Sequence, residues 1–250
     1  MLYSFDSKVI NGSPYYLIIE EIGDLKGTED FKTLLAETMK TVSNENIKSV
    51  SVVLNQQESL NSSYIKYLKD LKFVQHEVQY FYHLDLTSIH DFNDHSSFTL
   101  KSLEHTSEGL FKEVWQKSMA LSLNAPSQTT IDQEFEGMKS EIGDHYAKSC
   151  LIVFKENDPI GVTMPHIEQG TVDEGRLFYF GFIPEYRGKG HGSLIHRQSL
   201  EYLKQIGAKH YIGATGQKNL PMQKIFNTNN CHLFDKRVTY RRLNKSDSIM

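Results

Sequence analysis

The sequence predicts a mixed α/β (α+β) fold, and three observations carry that expectation. Apolar and aromatic runs of strand length alternate along the chain with segments whose apolar residues recur at helical spacing. Turn-forming residues, such as 11–14 (NGSP) and 156–159 (ENDP), separate neighbouring strand-like runs. Near residues 176–206, a strand-like run passes through a glycine-rich loop directly into an amphipathic segment.

Residues 2–10 and 15–22 are rich in Tyr, Val and Ile and flank the NGSP turn, so a hairpin is expected there. Residues 31–42 read as a helix, with Phe31, Leu34, Leu35 and Met39 on one face and Thr28 as its N-cap. A strand at 50–54, a helix at 64–71 and an alternating strand at 74–86 follow. The polar stretch 87–97 (TSIHDFNDHSS) is the expected boundary, dividing 1–95 from 96–250. Beyond it come a strand at 98–103 and helices at 108–123 and 131–142, broken by Ala125-Pro126-Ser127. Strands at 150–154, 160–164 and 176–183 precede a helix at 193–206, which Gly207 ends. A strand at 210–214, a short helix at 221–226 and a closing strand at 231–241 complete the chain. The order of elements in 1–86 echoes that in 160–241, so the first segment reads as a shortened copy of the second.

With 27 Lys and Arg against 31 Asp and Glu, the net charge of −4 provides no basic footprint for nucleic acid or an anionic membrane. The amino terminus MLYSFDSKVI lacks the pattern of a signal peptide, which makes a cytoplasmic protein the expectation. Cys150 and Cys231 stand among apolar neighbours and are expected to be reduced core residues. His90, Asp91, Asp94 and His95 match no zinc spacing and read as a solvated linker, so no metal is expected. Lys236, Arg237, Arg241, Arg242 and Lys245 read as the charged face of an edge strand.

The stretch LFYFGFIPEYRGKGHG at 177–192 carries the chemistry. Glycine admits positive φ and leaves no side chain between backbone and ligand. The first-turn N–H groups of the following helix lack intrahelical partners and lie at the positive end of its dipole, so a diphosphate is their natural occupant. Arg187 and Lys189 add cations at the same mouth, and His191 could add a third near neutral pH. The spacing is neither that of a Walker A loop nor G-x-G-x-x-G. What remains is R-x-x-G-x-G, from Arg187, Gly190 and Gly192.

Over roughly residues 98–242 the chain resembles the GNAT superfamily of acyl-CoA-dependent N-acyltransferases. The resemblance implies a mostly antiparallel central sheet flanked by helices, preceded here by a truncated, degenerate GNAT-like unit. It implies acetyl-CoA as cosubstrate, with the diphosphate held at Arg187, Gly188, Lys189, Gly190, His191 and Gly192. It also implies a bulge that splays two strands apart, main-chain contacts from Phe182 and Ile183 to pantetheine, and an N–H near Phe182 that polarises the thioester carbonyl. Asn219 matches a family position at the cleft wall. Phe226 stands where members often carry a Tyr general acid, and Phe178 where a carboxylate is often found. Both usual proton-handling residues are therefore missing, and His166, Glu168, Tyr179 and His232 are the positional alternatives. The acceptor is expected to be an amine on a small molecule or peptide. The rival expectation is a CoA-binding module without turnover. In the amino-terminal copy, Glu20, Glu21, Asp24, Glu29 and Asp30 surround Gly23 and Gly27, so no CoA is expected there.

Overall fold

The computed structural model describes residues 7–23, 25–89, 98–123 and 130–244. Strands β1 (Lys8–Gly12) and β2 (Tyr16–Glu20) are followed by helix α1 (Thr28–Asn44), β3 (Ser49–Leu54), α2 (Ser62–Asp70) and β4 (Val74–Asp85). Next come β5 (Phe98–Ser102), α3 (Glu108–Met119), α4 (Ile131–Ile142) and the one-turn α5 (Tyr146–Ser149). Strands β6 (Leu151–Lys155), β7 (Asp158–Ile167) and β8 (Glu174–Phe182) then lead into α6 (His191–Gln205). The chain closes with β9 (His210–Gly216), α7 (Leu220–Thr228) and β10 (His232–Leu243).

These elements form two compact units, Met1–Tyr80 with Asp235–Met250, and Phe81–Phe234. The division falls at 80/81 where 95/96 is expected, and the chain also returns at its end: Val238 to Leu243 of β10 pair antiparallel with Leu54 to Ser49 of β3. In the first unit β1 and β2 make the expected hairpin, with Asn11 Oδ1 accepting from the Ser13 N–H at 2.9 Å. Strand β2 pairs parallel with β3, from Tyr16↔Ser49 to Ile19↔Val52. Helix α1 begins at Thr28 itself, capped by Gly27 without a side-chain bond; Glu29 and Asp30 face its positive end instead. Phe31 stacks on Tyr64 at 4.1 Å in a core with Leu17, Val52 and Leu68. Strand β10 lies between β3 and β4 and is not an edge. Its Arg237 bonds Asp235 at 2.9 Å and Arg242 donates to Leu71 O at 3.2 Å, while Lys245 lies outside the described residues.

In the second unit the order is β9-β8-β7-β6-β5, antiparallel except for β8 with β9. The strand alternation that sends Val162 and Met164 toward α3 and α4 sends Thr163 toward α6, where it meets Ser199 Oγ at 2.9 Å. Trp115, Phe111 and Phe135 fill the α3–α4 side; Ile195 of α6 packs on Phe182 and Ile160 on the other. Ser107 caps α3, and Thr130 with Gln133 forms a capping box on α4. Gly207, at φ 105°, ends α6 as expected.

Candidate functional site

The parallel ladder between β8 and β9 holds for only two pairs, Glu174↔His210 and Gly175↔Tyr211, and the strands then part. On its other edge β8 stays paired to β7 as far as Gly161↔Phe182, and the Ile183 N–H donates to Ile160 O at 2.9 Å. Strand alternation therefore turns the Phe182 and Phe180 N–H groups to the opposite edge, into the gap. The Ile183 donor is committed to β7, so of the two expected contacts Phe182 alone offers an N–H to the gap. A bulge accompanies the parting: Thr163 faces Phe180 and Pro165 faces Leu177, so Phe178 and Tyr179 together oppose Met164.

The gap leads to the glycine loop. After a single turn at Pro184–Tyr186, Gly188 and Gly190 adopt φ of 70° and 82°. An L-residue pays about 1–2 kcal/mol in that region, which is why glycine stands at both. A Cβ at either position would meet nothing within 4 Å, so the cradle is open. Helix α6 starts at once, with Gly190 as N-cap and no side-chain cap, which leaves the first-turn N–H groups for an anion. Gly192 packs tightly, since a Cβ there would approach Ile225 Cδ1 to 2.6 Å.

The three expected cations differ. Lys189 is exposed and lies 5.0 Å from the Tyr186 ring centroid. His191 is half-buried against Phe98, and burial, Lys155 and Lys189 together push its pKa down, which disfavours a third charge there. Arg187 is committed to main-chain carbonyls: Nε to Phe182 O at 2.8 Å, Nη2 to Ser118 O at 2.8 Å and Nη1 to Leu121 O at 3.1 Å.

Asn219 caps α7, its Oδ1 accepting from the Met222 N–H at 3.2 Å. Phe226 is buried and stacks on Tyr82 at 4.5 Å, with the edge of His196 at 5.4 Å. His196 was not singled out in the sequence, although it lies on the buried stripe with Ile195, Ser199 and Leu203. It sits 3.3 Å from Tyr211 Oη and 3.0 Å from Asn229 Nδ2, and burial pushes its pKa down to about 3. Of the four alternative proton-handling residues, His166 and Glu168 are brought together. Tyr179 sits at the bulge and donates to Ser118 O at 2.8 Å. His166 is buried 3.5 Å from Glu168, and His232 is exposed at the start of β10. Both cysteines are buried free thiols with pKa pushed up to about 12 by burial.

The first unit repeats the strand, loop, helix and parallel strand, but β2 and β3 stay paired for four residues. Past them lies a cleft of about 350 Å³ whose lining includes Glu20, Glu21, Glu58, Asp235 and Arg237. Burial raises the Glu58 pKa. Asp24 lies outside the described residues, as do His90, Asp91, Asp94 and His95. Among the described residues no group of three or more His, Cys, Asp or Glu is placed to hold a metal ion. No described helix is long and apolar enough to cross a membrane.

Residues 111–229 match the family model described as the Acetyltransferase (GNAT) family, so the chain carries a GNAT domain. No curated protein sequence matches significantly. Among solved structures, a GCN5-related N-acetyltransferase from Sphaerobacter thermophilus aligns at TM-score 0.71 and 12% identity, covering 95% of this chain and 76% of that one. A tandem GNAT protein from the clavulanic acid biosynthesis pathway aligns at 0.63 and 15%, covering 96% and 79%. A functionally unknown conserved protein from Staphylococcus epidermidis aligns at 0.63 and 11%, covering 96% and 95%. At these identities the likeness establishes the fold, including its second, amino-terminal GNAT-like unit.

Proposed function

We propose that this GNAT domain transfers an acetyl group from acetyl-CoA to a primary amine, which attacks the thioester directly in a ternary complex. The observation that carries the reading is the parting of β8 from β9 after Gly175 and Tyr211, which opens onto an uncapped helix start behind two positive-φ glycines. The N–H groups of 188–192 and the Lys189 ammonium hold the diphosphate, and pantetheine lies along β8 beside Phe182 and Ile183, with Asn219 at the cap of α7 on the far wall and Phe226 buried behind it. The Phe182 N–H meets the thioester oxygen and stabilises the charge that develops there. The amine nitrogen bonds to the carbonyl carbon, the C–S bond breaks, and CoA departs as a thiolate. Thiols ionise near about pH 8.5, so the thiolate is a tolerable leaving group without a side-chain acid. The proton lost by the amine passes through ordered water to solvent or to the thiolate. The acceptor is an amine on a small molecule or peptide, and the reaction belongs to the cytoplasm.

The identity of residue 226 favours a second reading, because Phe226 puts no hydroxyl where a thiolate would be protonated. On that reading the domain binds CoA without turnover. A thiol-release assay on the full chain, run across a panel of small and peptide amines, separates the two. Amine-dependent CoA release, lost in Gly190→Trp, is the expected result. Acetyl-CoA binding with no release on any amine would support the non-catalytic module.

A further inference from the structure

Arg187 belongs to the glycine loop by sequence but to α3 by its bonds. Three of its nitrogens each meet a carbonyl oxygen: Phe182 O at 2.8 Å on the gap edge of β8, Ser118 O at 2.8 Å in the last turn of α3, and Leu121 O at 3.1 Å just past its end. Tyr179 Oη donates to the same Ser118 oxygen at 2.8 Å. The last carbonyls of a helix lack intrahelical partners and carry the negative end of its dipole, and a planar fork of donors suits them. Leu121 sits at φ 54°, a conformation unfavourable for leucine, and its carbonyl is one of the three that the fork holds.

We propose that Arg187 is a positioning residue and not a ligand of the diphosphate: it ties the donor loop to the C-terminal end of α3, so that filling the loop is felt at α3. This rests on the reading that the loop takes acetyl-CoA. A phosphate ligand would need donors directed at the cradle, whereas this guanidinium already bridges two elements through main-chain oxygens. The chain contains a reporter for the linkage. Trp115, its single tryptophan, lies one turn before Ser118, with its ring 6.0 Å from Tyr179 and 6.1 Å from Phe178. The indole is buried on α3 against these two β8 rings, so a shift of α3 relative to β8 changes its surroundings and hence its emission.

The test titrates acetyl-CoA into the full chain, following calorimetry and Trp115 emission in parallel, for the wild type, Arg187→Met and Tyr179→Phe. The wild type is expected to bind and to change its emission. Arg187→Met is expected to bind within about threefold of wild type, with the same salt dependence but no emission response. Tyr179→Phe, which removes one of the two side chains on the Ser118 carbonyl, is expected to bind normally with a smaller response. If Arg187→Met does not fold, Tyr179→Phe and the charge-retaining Arg187→Lys carry the test, with the Lys variant expected to bind but give no response. Weakening of Arg187→Met by about tenfold or more with a shallower salt dependence would make Arg187 a phosphate contact and overturn the proposal. An emission response retained in Arg187→Met or Arg187→Lys, a full response in Tyr179→Phe, or wild-type binding with no response would overturn it as well. Absence of acetyl-CoA binding by the wild type would instead remove the donor-site reading, and the linkage with it.

Discussion

Exposed and buried residues of the second unit have opposite chemical meanings. Gly188 and Gly190 are open because a ligand must approach their backbone, and the sequence displayed them because no other residue suits φ of 70° and 82° at low cost. The partners of Arg187 were not legible. They are main-chain oxygens, one 5 residues away and two 66 and 69 residues away, and a carbonyl leaves no mark on a sequence. His196 was equally hidden, since a histidine in a helical stripe reads like any other member of it. Its burial has a measurable consequence. Below about pH 6.5 the unfolded imidazole takes up a proton that the folded one refuses until about pH 3. Stability contributed by neutral His196 is therefore complete above pH 6.5 and is lost as pH falls, with a slope of up to about 1.4 kcal/mol per pH unit. Urea unfolding between pH 7 and 5 should show a steeper loss for the wild type than for His196→Gln. Equal slopes would contradict this assignment.

At the scale of elements, the strands and helices were readable from periodicity, and their pairing beyond the β1–β2 hairpin was not. The closing strand read as an edge because its charges are dense, yet the structure places it between β3 and β4 and uses Arg242 to hold the Leu71 carbonyl. The parting of β8 from β9 was expected only through the family resemblance, because nothing in the residues of either strand specifies where a parallel ladder stops. What holds β8 in place is its other neighbour, and Gly161 of β7 is the tightest point. A Cβ there would collide with Gly181 O and lie 3.0 Å from Phe182 Cδ1, both beside the gap. Gly161→Val should destabilise the protein by about 1–3 kcal/mol and weaken acetyl-CoA binding, because relieving the overlap must displace the strand that carries the Phe182 N–H. Urea unfolding with a parallel ligand titration checks this. A variant as stable as wild type with unchanged binding would show that β8 is not held by this contact. Gly207 illustrates the opposite case: a helix end was predicted from one residue and found at φ 105°.

For the whole molecule, 250 residues accommodate one GNAT domain and a shorter unit that repeats its strand, helix and parallel strand. The repetition was legible as an order of elements, while the return of residues 235–243 to the first unit was not, because the partner of a last strand is set by packing. The two copies differ where chemistry would occur. In the second unit the parallel pair separates after two residues onto an uncapped helix, whereas in the first it stays closed for four and ends at a carboxylate-lined cleft. Carboxylates at that position repel a diphosphate, so a single donor site per chain is expected. The central claim is that this site is the glycine loop at the start of α6. A calorimetric titration of the full chain with acetyl-CoA tests it most directly. The expected result is one site per chain, abolished in Gly190→Trp while the far-ultraviolet circular dichroism is unchanged. No binding below about 1 mM, or an unchanged affinity in Gly190→Trp, would contradict the claim.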